Sequence, residues 1–331
     1  MAWTLPLRAQ ELAIRIRLVT PAPPRSRAGN RATAARWAAI LRALGHRVDV
    51  SLDYAGEPAD LLIALHAWRS AEAIARFAEG RPGRPLVVAL TGTDAYRFIH
   101  SHPGPTLRSI ALADRLVGLH DLIGETVPPE HRAKVRVIYQ SARPIARRSP
   151  VKGAFRVCVA GHLREEKDPL RPAYAVRDLP AASRLRVAHY GGAHTPEWAD
   201  AARAEMAINP RYRWHGEIGH DRLRRVYASS HLLALPSRME GGANVISEAI
   251  VAGLPVVASR IAGSVGLLGA DYPGTYPVED TGALRALLLR AEADAAFHDD
   301  LAERCAARRP LFTPERERAG WESLLRELGV G

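Results

Sequence analysis

The chain has 331 residues, 47% of them hydrophobic and 24% charged, which excludes a disordered polymer and gives room for two domains, each with its own core. Two cysteines, Cys158 and Cys305, lie in unrelated contexts and exclude a disulfide framework and a zinc site, so no metal is expected. No run approaches the ~18 apolar residues of a membrane helix, and the first fifteen residues lack the apolar core of a signal peptide, so a cytoplasmic protein without membrane association is expected.

The first half alternates strand and helix. Ile14–Thr20 reads as a strand, and Asn30–Leu44 as a helix with Trp37, Ile40, Leu41 and Leu44 on one face and Gly45 as its stop. Strands follow at Arg47–Leu52, Leu61–Leu65, Leu86–Leu90, Leu116–Leu119 and Val135–Tyr139. The stretch SARPIARRSPVKG has no apolar period and reads as a linker. A second series then starts, with strands at Arg156–Ala160, Leu185–His189, Tyr212–Trp214, Leu232–Leu235 and Val256–Ala258, and an amphipathic helix at Pro314–Leu328 closes the chain. The expectation is an α/β protein of two doubly wound, Rossmann-like domains, 1–145 and 146–312, followed by a C-terminal segment, 313–331.

The net charge of +11 is uneven. Residues 1–150 hold 22 Lys+Arg against 12 Asp+Glu, and residues 151–331 hold 24 against 23. The arginines of the first half are scattered singly, with no basic run and no interleaved aromatics, so a small anionic ligand fits better than nucleic acid.

In doubly wound sheets the ligands sit at the carboxyl ends of strands, which selects a few loops. In the first half, Gly29 and Asn30 open a helix with Arg25, Arg27 and Arg31 around them, so amides and guanidinium forks converge where an anion could dock; solvated loop arginines are the alternative. His66 ends a strand and reads equally as a packing or a site residue, Ser70 reads as an N-cap, Thr91-Gly92-Thr93-Asp94 follows the next strand, and His120 reads as a packed histidine.

The most informative stretch is LALPSRMEGGANVISEAIVAGLPVVAS, which reads strand, turn, helix, strand, with Gly253 followed by Pro255 as the stop of that helix. Gly241 and Gly242 permit close backbone approach to a ligand, and the amides near Ala243 and Asn244 would face an anion with the helix dipole behind them. Glu240 and Glu248 flank that turn eight positions apart, a spacing suited to gripping sugar hydroxyls on either side of a diphosphate; two solvated glutamates in an ordinary βαβ unit remain the alternative.

PSRMEGGANVISEAIVAGLPVVAS as a whole resembles the donor-binding motif of family 4 type glycosyltransferases of the GT-B fold. That resemblance implies two domains facing a cleft and a last helix crossing back to the first. It places Glu240 on the donor sugar, Gly241, Gly242, Ala243 and Asn244 on the diphosphate, and Glu248 on the ribose. VAGHLREEKDPL resembles the family's basic element, with Arg164 and Lys167 implied at the departing diphosphate, and Trp214 and Gly216 fall in the segment near the nucleobase, with Trp214 reading by itself as a core residue. TGTD resembles the family's HGTD-like loop, with Thr91 where many members carry histidine.

PAPP…GNR, GHLREEKDP, SRMEGGANVISEA and ASRIAGSVGLLGADYPG together resemble one subgroup, the selenosugar synthases of selenoneine biosynthesis. The resemblance implies attack of selenophosphate selenium on the anomeric carbon of UDP-N-acetylglucosamine or UDP-glucose, with no cofactor beyond the UDP-sugar co-substrate. Arg27, Gly29, Asn30, Arg31 and Thr93 are the expected acceptor contacts, and Arg164, Lys167 and Glu240 the expected catalytic set. A glycosyltransferase acting on a sugar or lipid hydroxyl is the second reading, a non-catalytic polyanion binder the third. The oligomeric state is not encoded in these motifs.

Overall fold

Each apolar run read as a strand is one, because runs such as LLIAL and LLAL bury both faces in a parallel sheet. The computed structural model describes residues 13–24, 26, 29–146, 150 and 152–330. The first sheet contains β1 (Arg15–Val19), β2 (Arg47–Ser51), β3 (Leu61–Leu65), β4 (Leu86–Ala89), β5 (Arg115–Gly118) and β6 (Val135–Val137), all parallel, in the order β2-β1-β3-β4-β5-β6. The second contains β7 (Phe155–Ala160), β8 (Leu185–Tyr190), β9 (Tyr212–Trp214), β10 (Leu232–Leu235), β11 (Val256–Ser259) and β12 (Thr275–Tyr276), also parallel, in the order β12-β11-β10-β7-β8-β9. Two residues are too few to show a period, which is why β12 escapes the sequence reading.

The helices are α1 (Gly29–Ala43), α2 (Ala71–Gly80), the short α3 (Ile99–Ser101), α4 (Pro103–Leu112), α5 (Arg171–Ala175), α6 (Pro196–Ile208), α7 (His220–Ser229), α8 (Asn244–Val251), α9 (Ala262–Leu268), α10 (Thr281–Ala293), α11 (Ala295–Arg308) and α12 (Pro314–Glu327). The glycine stops act as written. After α1, the Gly45 amide bonds to Arg42 O and the His46 amide to Leu41 O, and after α8 the Gly253 amide bonds to Ile250 O and the Leu254 amide to Ala249 O. Both glycines have positive φ, 97° and 70°, so both ends are Schellman caps. The buried face of α1 departs from expectation. Thr33, Ala34, Trp37, Ala38 and Leu41 line it, while Ile40 and Leu44 are half-exposed, because small residues let the helix lie close to the sheet.

The chain divides into two compact units. The first holds residues 1–118, 127–138 and 318–331, and the second 119–126 and 139–317. In the first, Trp321 of α12 is fully buried with its ring 4.8 Å from that of Trp37, edge to face, and anchors the end of the chain. In the second, Glu317 is buried and accepts hydrogen bonds from the Ser141 amide and hydroxyl. Among the described residues no helix is long and apolar enough to cross a membrane.

Strand order fixes where each unit can hold a ligand. In the first sheet the chain leaves β1 toward β2 and then continues on the other side at β3; in the second it leaves β7 toward β8 and β9 and continues on the other side at β10. The crevices at the carboxyl ends therefore lie between β1 and β3 and between β7 and β10.

Candidate functional site

The loop after β7 and the turn after β10 meet at the second crevice. Asp168, buried and in the left-handed region at φ 42°, turns the chain after the single 3-10 turn Glu165–Lys167, and Arg171 fixes its carboxylate at 2.8 Å. This presents the Lys167 ammonium to Glu240 Oε1 in a short, part-buried ion pair. The Ser237 hydroxyl donates to the same oxygen at 2.6 Å. Glu240 Oε2 has no partner among the described residues, so one face of this carboxylate is committed to the protein and the other is open. The Lys167 ammonium has three N–H groups, and one of them is engaged by Glu240.

Arg164 stands at the start of the same loop. Its Nε is buried without a hydrogen-bond acceptor, with Glu166 no closer than 3.9 Å. A buried guanidinium N–H without an acceptor is costly unless a ligand supplies one. Arg238, which the sequence reading passed over, clamps the two loops together. Its amide donates to Glu166 O at 2.9 Å, and its guanidinium pairs with Glu279 at 2.6 Å and Glu165 at 3.4 Å.

Gly242 has a packing requirement of its own, beside the close ligand approach expected of it. A Cβ on Gly242 would lie 2.3 Å from the Leu119 Cβ, so protein packing from the segment after β5 already demands glycine there. At Gly191, φ is 154° and a Cβ would come within 1.9 Å of Gly161 O, so the loops after β7 and β8 also touch through backbone. Ala243 is the N-cap of α8, and its side chain makes no capping hydrogen bond.

Glu248 lies one turn into α8, its side chain 16% exposed, and its Oε1 is 2.9 Å from His220 Nε2 at the start of α7. That hydrogen bond raises the His220 imidazole above its usual range. Trp214 is half-exposed and not core; its indole N–H donates to Gly191 O at 2.7 Å and Arg203 lies over its ring. Gly216 takes φ 69° and its carbonyl accepts the Gly191 amide. His189 beneath these loops is fully buried between Gly161 O and the Tyr212 hydroxyl, and burial pushes it down to about 4. Cys158 is buried, its thiol pushed up by desolvation, as a packing residue would be.

In the first unit, Gly29, Asn30 and Arg31 do open α1, and the Thr20 hydroxyl at the end of β1 touches Asn30 O. Arg25 and Arg27 lie outside the described residues. Across the crevice, at the end of β3, His66 is buried with φ 76°, a conformation that costs a non-glycine residue about 1–3 kcal/mol. Its Nδ1 accepts the Arg69 amide at 3.1 Å, so the ring proton sits on Nε2, which donates to Thr93 Oγ1 at 2.9 Å. Burial lowers this imidazole below its usual range and keeps it neutral.

Asp94 explains why the TGTD loop holds its shape. It is fully buried and accepts three backbone amides, from Ala67 at 2.9 Å, Thr91 at 2.9 Å and Gly92 at 2.8 Å, which ties the β3 loop to the β4 loop. A π-helical turn, Asp94–Phe98, follows. The Thr91 hydroxyl is buried without a partner. Beside His66, Trp68 stacks on Phe98 at 3.9 Å, with His102 against Trp68 and the Arg69 guanidinium over both rings. Ser70 is the N-cap residue of α2 as expected, but its hydroxyl makes no capping bond and donates back to Leu65 O at 2.7 Å.

Comparison with known proteins follows the same lines. Residues 134–294 match the family model of the glycosyl transferases group 1. The whole chain is similar to the solved structure of sucrose-phosphate synthase from Thermosynechococcus elongatus, with a TM-score of 0.76 at 16% identity over 96% of this chain and 99% of that one. It is also similar to Anabaena Alr3699/HepE in complex with UDP, with a TM-score of 0.73 at 16% identity over 96% and 100%, and to a glycosyltransferase from Rickettsia africae ESF-5, with a TM-score of 0.70 at 12% identity over 96% and 99%. No curated protein matches.

Proposed function

We propose that this chain, a GT-B protein whose residues 134–294 match the group 1 glycosyl transferases, is a glycosyltransferase that moves a sugar from a UDP-sugar to selenophosphate. The observation that carries the donor half is the Lys167–Glu240–Ser237 cluster at the β7/β10 crevice, with one carboxylate oxygen open and the unsatisfied Arg164 Nε beside it. Support for a uridine donor comes from the similar HepE fold, solved with UDP and with UDP-glucose. In this reading Glu240 Oε2 takes a donor-sugar hydroxyl and Glu248 takes the ribose. The amides after Ala243, together with Arg164 and the remaining Lys167 N–H groups, take the diphosphate.

The chemistry asked of these residues is mainly electrostatic. The selenium lone pair forms the bond to the anomeric carbon as the bond from that carbon to the diphosphate oxygen breaks, and UDP departs with the electron pair. Water then takes the phosphoryl group, leaving the 1-selenosugar and phosphate. Charge grows on the diphosphate during the first step, where Lys167 and Arg164 stabilise it more than in the ground state. Selenophosphate is already anionic, so the step requires no general base. The reading requires neither a metal nor a cofactor, because cationic side chains meet the leaving group.

The acceptor half rests on the basic excess of residues 1–150, on Gly29-Asn30-Arg31 opening α1 at the β1/β3 crevice and on the Thr93 hydroxyl across from it. One observation favours a second acceptor class. The Trp68–Phe98 stack offers a flat apolar face of the kind a sugar ring packs on, which suits a sugar hydroxyl acceptor. Mass spectrometry of products from UDP-glucose and UDP-N-acetylglucosamine, each offered with selenophosphate, thiophosphate, phosphate or simple sugars, decides between them. A selenium- or sulfur-linked sugar supports the first reading, and exclusive O-glycosides overturn it.

A further inference from the structure

The sequence motifs leave His220 without a role, yet its Nε2 lies 2.9 Å from Oε1 of the carboxylate assigned to the ribose. We propose that His220 is a positioning residue for donor binding: it fixes the Glu248 carboxylate for the ribose hydroxyls and makes the affinity for UDP depend on its own proton. This rests on the donor reading above.

The geometry is specific. A glutamate on a helix has three side-chain torsions, and ordering them when the ligand arrives weakens binding unless they are already held. His220 Nε2 holds Glu248 Oε1 at 2.9 Å while the imidazole itself is 63% exposed, so it reaches the carboxylate from the solvent side. A carboxylate offers about four lone-pair sites, so a ribose hydroxyl can dock without displacing the imidazole.

The imidazole is itself held. Arg224, one turn along α7, donates to Arg143 O at 3.2 Å and Pro144 O at 2.7 Å, which fastens the helix to the segment before β7. Tyr227 lies two turns from His220 on the same side of α7, fully buried with its phenol beside Glu248, and closes the inner side of the carboxylate.

The charged groups around His220 set the sign. Glu248 faces it from α8; Asp221 and Arg224 stand on its own helix, and pair with each other at 3.6 Å. From β7, against which α7 also packs, the buried Cys158 thiol stays protonated and adds no charge. Glu248 favours the imidazolium, and so does an anionic ligand. As pH rises through the raised titration of His220, the charge is lost, a charge-assisted hydrogen bond becomes a neutral one, and UDP binds more weakly.

Calorimetric titration of UDP from pH 6 to 8.5 with wild type, His220→Gln, His220→Ala and Glu248→Ala tests this. The phosphate ionisation of UDP is common to all four, so the differences between proteins carry the answer. Wild type is expected to lose affinity relative to His220→Gln as pH rises. His220→Gln keeps a neutral donor to Glu248, and should give a profile free of this titration. His220→Ala should bind roughly 2–12-fold more weakly than wild type at pH 6, the range of one hydrogen bond. Loss of UDP binding in Glu248→Ala alone, with both His220 variants matching wild type at every pH, would overturn the inference and leave the donor reading standing. Unchanged UDP binding in Glu248→Ala would overturn the donor reading and this inference with it. The His220 imidazole resonance, followed by NMR against pH in wild type and in Glu248→Ala, supplies a readout that a fold-supporting residue would not move.

Discussion

The two crevices use opposite physics to hold polar groups in a protein interior. In the second unit the candidate site is ionic, with Lys167 against Glu240, Arg238 against Glu279, and Glu248 against His220. In the first unit the described polar centre is a single buried carboxylate, Asp94, neutralised by three backbone amides, next to a neutral His66 and two threonine hydroxyls. Ion pairs built from side chains can reopen to take a ligand, since an oxyanion can replace one partner and a hydroxyl can add to the other. An amide cage cannot be exchanged in that way. It fixes loop shape, and leaves recognition to groups at its rim such as the Thr93 hydroxyl, whose lone pair is engaged by His66 and whose proton has no acceptor among the described residues. Substitution should therefore cost stability in one place and function in the other.

The largest effect is expected at Asp94. Asp94→Ala leaves three buried amides without acceptors, at roughly 1–3 kcal/mol each and less than additively, so a loss of about 3–5 kcal/mol is expected. Denaturant unfolding measures it. If Asp94→Ala unfolds within about 1 kcal/mol of wild type, the cage does not carry the loops as described.

Lys167→Ala and Glu240→Ala should show the reverse pattern, with modest change in stability and a large change in activity. Both side chains keep some exposure, 19% and 10%, so the charge that either substitution leaves behind stays within reach of water. Glu240→Ala should weaken use of the UDP-sugar by roughly 10–100-fold, the value of a hydrogen bond to a charged group, and weaken UDP itself much less. Lys167→Ala should lower kcat more than it raises the donor KM, because the charge it meets develops as the bond breaks. A pure KM effect for Lys167→Ala would reduce it to a binding residue.

How far the sequence foretold this contrast depends on distance along the chain. The strands other than β12, both Schellman stops and the glycine turn after β10 are local patterns of apolar period and glycine placement, and these are legible. The Lys167–Glu240 pair joins residues 73 apart and the His220–Glu248 pair residues 28 apart. Charge and spacing on one element say nothing about a partner on another. Gly242 shows the same limit from another side: the double glycine is plain in the sequence, but Leu119, which demands it, arrives from a segment over a hundred residues earlier. His66 carried one usable signal, a histidine closing an all-apolar strand, yet its left-handed backbone and its ring proton on Nε2 follow only from the Arg69 amide folding back on it.

The smallest effect separates the two crevices by their response to salt. The acceptor proposed for the first unit is a small, multiply charged anion with little apolar surface, so most of its affinity comes from charges at the rim, where Arg31 stands half-exposed at the opening of α1. Screening at that rim is strong, since the Debye length falls from about 10 Å at 0.1 M salt to about 3 Å at 1 M. In the proposed reading the donor, in contrast, adds contacts to neutral hydroxyls at Glu240 and Glu248, whose side chains are 10% and 16% exposed, to the charge contacts of its diphosphate. Raising salt at saturating UDP-sugar should therefore increase the acceptor KM by a larger factor than it increases the donor KM at saturating acceptor. Arg31→Gln should raise the acceptor KM by about 1.4–5-fold at fixed salt and flatten its salt dependence, in line with the roughly 0.2–1 kcal/mol of a partly exposed charge contact. Thiophosphate serves as the stable acceptor once it is shown to be used. Equal salt slopes for donor and acceptor, with Arg31→Gln indistinguishable from wild type, would remove the anion from the α1 opening. The His66–Thr93 rim on the other side of the same crevice would then be the next place to test.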